Sequence, residues 1–186
     1  MRMWQTALAG TLALAMTGCV PSLQPLFTDK DTVFEPALNG TWVQNDGDEQ
    51  WLFNSLPDKS GYNAISMKQG QYPASFEAHL VCLSGYRFLD LYPADPPLAN
   101  ENYAIHFVKA HTFHRVRLEG DVLRIAALDP DWLQTMLQEH SLEIAHSLVD
   151  GNIVLTAPTA DLQALLVRYA ETPGTFQESS EWHRNK

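Results

Sequence analysis

Positive charge is scarce in this chain of 186 residues: 12 Lys and Arg stand against 22 Asp and Glu, for a formal net charge of −10. Binding phosphate backbones needs clustered cations, so a nucleic-acid partner is not expected. Cysteine is scarcer still. Only Cys19 and Cys82 are present, and no Cys-x-x-Cys pair occurs. No apolar run reaches the roughly 20 residues that a spanning helix needs. The His-Glu-x-x-His, Gly-rich phosphate-loop and Gly-x-Ser-x-Gly patterns are all missing. Catalysis, a bound metal and a cofactor are therefore without support. What is left is ordinary globular material, 45% hydrophobic and 18% charged, of a length suited to one domain.

The N-terminus is the most informative stretch. Met1-Arg2-Met3-Trp4 followed by the small, apolar run Ala7 to Thr17 has the layout of a secretory signal. It ends in Met16-Thr17-Gly18-Cys19, which resembles the lipobox of bacterial lipoproteins. The resemblance implies that residues 1–18 are removed as a signal peptide and that Cys19 is acylated at the new N-terminus. Each buried methylene contributes about 0.8 kcal/mol, and two or more chains hold a protein stably on a bilayer. The same resemblance places Val20 where an Asp often means inner-membrane retention, which favours the outer membrane, facing the periplasm. With Cys19 used as the anchor, Cys82 has no disulfide partner. Its setting in Leu80-Val81-Cys82-Leu83 predicts a buried, inert side chain.

Residues 19–37 contain Pro21, Pro25 and Pro36 without apolar periodicity and read as a lipid-anchored tether. Leu26, Phe27, Val33 and Phe34 are apolar enough for part of it to dock. Residues 38–186 read as a single β-rich domain. Short strands are expected over 40–45, 50–55, 62–68, 75–83, 86–92, 103–108, 112–118 and 122–127, separated by Gly and Asp turns. Pro93 to Asn102 is a proline-rich loop long enough to cover something. Asp129-Pro130 starts one helix, with Asp129 as N-cap, and Thr159 caps a second whose stripe is Leu162, Leu165, Leu166 and Tyr169. Asp150-Gly151 between them marks a hairpin, and the last dozen residues are expected to fray.

Leu38-Asn39-Gly40-Thr41-Trp42 at the head of the first strand resembles the opening of lipocalins and related calycin barrels. That resemblance implies a tryptophan plugging the barrel base, often beneath an arginine from a late strand, with Arg124 as the candidate here. The fold class expected is mainly β (α+β). It is an antiparallel meander that closes as a lipocalin-like barrel or remains a strongly curved open sheet, with two C-terminal helices. The stretches Cys19 to Phe27 and Glu35 to Trp42, with Phe76-Glu77-Ala78-His79-Leu80, Phe88 to Pro93 and Ala127 to Trp132, also resemble uncharacterised bacterial lipoproteins. No activity comes with that resemblance.

Strand alternation places Thr112, His114, Val116 and Leu118 on one face, and Phe113, Arg115 and Arg117 on the other with His111. Tyr86, Phe88, Asp90 and Tyr92 likewise share a face. If that aromatic face is internal, Asp90 is a buried carboxylate that needs a partner, which His114 or an arginine would supply. Trp42, Phe88, Asp90, Tyr92 and His114 are thus the candidate ligand-binding residues. A structural polar pair, and acid–base catalysis by Asp90 and His114, remain the other readings. His140-x-x-Glu143-x-x-His146 carries zinc-donor types, but steps of three fan them across a helix, so no metal site is expected. The leading function is a lipid-anchored envelope protein whose non-catalytic domain binds a small apolar or amphipathic ligand. The competing class is an assembly protein that recruits another envelope protein through its surface.

Overall fold

The computed structural model describes residues 18–44, 47–94 and 106–185. Its strands are β1 (Pro21–Ser22), β2 (Gly40–Gln44), β3 (Glu49–Ser55), β4 (Tyr62–Lys68), β5 (Ala74–Leu83), β6 (Tyr86–Pro93), β7 (His111–Glu119), β8 (Val122–Ala127), β9 (His146–Val149), β10 (Asn152–Leu155) and β11 (Ser180–Arg184). Helices α1 (Pro130–Gln138) and α2 (Thr159–Tyr169) flank the β9–β10 hairpin. Strands β2 to β8 pair in sequence, and β11 lies between β8 and β2, so eight antiparallel strands close into a barrel. At eight strands the interior is just wide enough to be filled by side chains or to hold one small ligand.

Turn chemistry explains the meander. Ser84 and Gly85 have φ of 51° and 85°, and Asp150 and Gly151 have 49° and 82°. Both positions of each two-residue turn are therefore left-handed, as tight hairpins require. Asp129 caps α1 by accepting the Trp132 N–H at 2.8 Å, with Pro130 at the first helical position. Thr159 does not cap α2. Its hydroxyl donates to the Pro25 carbonyl at 2.8 Å, and Pro158 precedes the helix without a side-chain cap.

Two apolar cores share the barrel wall. Trp42, Phe53, Tyr62, Leu89, Val116, Leu123 and Trp182 fill the inside. On the outside of β5, β6 and β7, Val81, Phe88 and Phe113 are covered by Leu133 of α1, Leu162 and Leu166 of α2, and Leu26 from the N-terminal segment. In that segment, the docking expected of Leu26, Phe27 and Phe34 extends further, and the chain is a strap built into the domain from Val20 onward. Val20 and Leu26 are buried, and β1 pairs antiparallel with β7 and parallel with β10. Its proline-broken sequence hides this, because the strap is held at scattered single residues rather than by a periodic face.

The C-terminal strand corrects a second expectation. The residues expected to fray supply β11, the strand that closes the barrel. The expected strand at 103–108 lies mostly outside the described residues, and His106, Phe107 and Val108 carry no strand. Ser180-Glu181-Trp182-His183-Arg184 has one large apolar side chain, buried Trp182, which leaves little alternation to read. Cys82 is exposed, contrary to its apolar run. Alternation turns it away from Val81 and Leu83, which take the covered face.

Candidate functional site

The two ends of the barrel differ. At one end Trp42 is fully buried, and its indole N–H donates to the Leu38 carbonyl at 2.9 Å. The Arg184 guanidinium lies 4.4 Å from the centre of that ring, donates from Nη1 to the Asn39 carbonyl at 2.7 Å, and reaches the Ala37 carbonyl through Nη2. Gly40 makes this closeness feasible. Its φ is 114°, and a Cβ there would stand 3.0 Å from Arg184 Nη1. Tyr62 adds a lock, because its hydroxyl accepts from the Glu35 N–H at 2.8 Å and donates to the Glu35 carbonyl at 3.0 Å. This end is sealed by packing.

The arginine over the tryptophan is therefore Arg184, not Arg124. Leu123 and Ile125 of β8 point into the barrel, so Arg124 points out and pairs with Glu119 and Glu181, each at 2.9 Å. Arg184 was missed because the strand carrying it was missed.

Near the opposite end, the barrel keeps a cavity of about 200 Å³. Trp51, Leu89, Leu91, Ile125, Ala127 and Trp182 supply apolar walls, and His114 supplies the imidazole. Cys19, Gln177 and Glu178 stand at its mouth. Of the candidate residues, His114 is the one placed in this wall. Part of its surface is not covered by protein atoms, but that surface faces the cavity. Desolvation pushes its pKa down to about 4, so the ring is neutral at pH 7, and Nε2 shares a hydrogen bond with Thr112 Oγ1 at 3.1 Å. The Trp182 indole N–H, beside the cavity, is buried with no acceptor among the described residues.

Trp42 belongs to the sealed end, and the remaining three candidates lie outside the barrel. Phe88 packs in the outer core with Phe113 and Phe176. Asp90 is completely buried under the strap, but its partners are His111 Nδ1 and the Leu26 N–H, both at 2.7 Å, not His114. The reason is strand parity. Asp90 pairs with Phe113, so His111 shares its outward side and His114 takes the inward one. Tyr92 lies 4.5 Å from the His111 ring and 4.8 Å from the Lys109 ammonium. This cluster fastens the strap; it shares no space with the cavity. His111 had a readable signal, since it fell on the same face as Phe113.

Two other hollows are weaker candidates. One of about 270 Å³ is lined by Arg115, Arg117 and Arg124, but Glu171 pairs the first two and Glu119 and Glu181 the third, leaving no surplus charge for an anion. A groove of about 480 Å³ runs between Cys19, the start of α1 and the β9–β10 tip. The His140, Glu143 and His146 spacing falls beyond the end of α1 at Gln138 and runs into β9. No group of three metal-donor residues forms among the described residues. No family model matches the chain, and neither a curated protein nor a solved structure gives a match.

Proposed function

We propose that this chain is a lipid-anchored bacterial envelope protein, held through acylated Cys19 on the periplasmic face of the outer membrane. Its barrel binds a small apolar or amphipathic ligand without chemistry on it. The observation that carries the reading is the cavity inside the barrel, walled by apolar side chains with one neutral imidazole and an unpaired indole N–H beside it. Such a lining favours an apolar body with one polar end. At about 200 Å³ the cavity is smaller than the roughly 300–1,000 Å³ of most small-molecule pockets. The fitting ligand is therefore a small molecule or the end of a longer chain.

A second reading has its own support. The sealed half of the barrel is packed solid, and strand β9 exposes Leu148 and Val149 at the edge of the sheet, a surface suited to recruiting another envelope protein. Native mass spectrometry of the mature, lipid-free domain taken from its own cell envelope separates the two. A reproducible extra mass that is lost on denaturation supports the cavity. A bare mass together with a protein crosslinked through β9 supports recruitment.

A further inference from the structure

The position of Cys19 orients the whole molecule, on the reading that it carries the anchor. Val20 is 2% exposed, so the strap joins the folded domain one residue after the anchor. One trans peptide advances the chain by about 3.8 Å, which leaves no spacer to lift the domain off the lipid. Cys19 also lines both the mouth of the barrel cavity and the neighbouring groove that Val149 and Gly151 share.

Large exposed apolar side chains gather at this same end. Tyr72, 98% exposed, lies in the turn after β4, and Val108, 77% exposed, lies just before β7. Single exposed apolar residues need no explanation, but two in successive connections at the end that holds the cavity make a pattern. The paired charges Arg184–Asp121 and Arg124–Glu119 sit toward the sealed end, away from it.

We infer that the open end of the barrel is the face that lies on the bilayer, so that the cavity beside His114 opens toward lipid. Ligand then exchanges between the cavity and the membrane. The acyl groups on Cys19 fix the height of the domain, and the exposed apolar side chains enter the boundary between headgroups and acyl chains.

The test uses the full lipidated chain, extracted from cells and reconstituted in phosphatidylethanolamine–phosphatidylglycerol vesicles whose acyl chains carry doxyl quenchers. In a Cys82→Ala background, an environment-sensitive fluorophore is attached at Tyr72→Cys, Val108→Cys or Asn54→Cys. Asn54 is exposed on the wall near the sealed end. Intact mass first establishes whether Cys19 is acylated. Acylation with several-fold stronger quenching at positions 72 and 108 than at 54 is the expected result. Acylation with equal quenching at all three positions overturns the orientation and leaves the anchor standing. A free Cys19 thiol overturns both.

Discussion

Arg184 and Trp42 form the contact on which the sealed end depends. The guanidinium provides a cation–π contact and two charge-assisted hydrogen bonds to backbone carbonyls. Replacing Arg184 with Met keeps the length and removes both, and should cost about 2–3 kcal/mol in urea unfolding. Lys in its place should recover little, since it lacks the planar fork. Asp90→Ala should cost a similar amount, about 2–3 kcal/mol, by orphaning the buried Leu26 N–H and the His111 ring. It should also loosen the strap, which faster proteolysis near Leu26 would report. His114 makes a pH prediction. Its folded pKa of about 4 lies below the 6.5 of an exposed imidazole, so between those values the unfolded chain binds more protons. The contribution is intact above pH 6.5 and is lost as pH falls toward 4, by about 3 kcal/mol in all. His114→Gln should flatten that part of the stability profile, read from denaturant melts across the window.

At the scale of elements, the meander is legible because β2 to β8 alternate and are punctuated by turn residues. Expected and observed limits of β4 and β8 coincide, and the expectations for β2, β3, β5, β6 and β7 differ only by a residue at one or both ends, whereas the strand expected at 103–108 has no counterpart among the described residues. Helix α2 declared itself through the stripe Leu162, Leu165, Leu166 and Tyr169, all buried. What stayed hidden was held by isolated residues. The strap is fixed by Leu26, Thr159 and Gln163 rather than by a pattern. The closing strand shows one buried tryptophan among polar neighbours. The site was half legible. Parity put His114 on an apolar face, but whether the Phe88–Asp90–Tyr92 face is internal or external depends on which side the strap and helices cover, and alternation alone has no sign. Deleting residues 180–186 should open the barrel between β8 and β2, with loss of cooperative unfolding by circular dichroism.

For the whole molecule, the barrel divides its labour by end. The half around Trp42 is filled and gives stability, and the half around His114 retains space. No helix among the described residues is long and apolar enough to cross a membrane. The proposed anchor is Cys19, and Cys19→Ser should on that proposal move the protein from the membrane pellet to the soluble envelope fraction.

The central claim is that the space beside His114 is a binding cavity. Trp51 and Trp182 line it, so their fluorescence reports occupancy directly. A medium-chain fatty acid titrated into the mature, lipid-free domain should give a saturable change in tryptophan emission. Ala127→Leu, which fills the cavity from β8, should abolish that change while the thermal melt stays cooperative. An identical response in Ala127→Leu and wild type, or no saturable response in wild type, would contradict it.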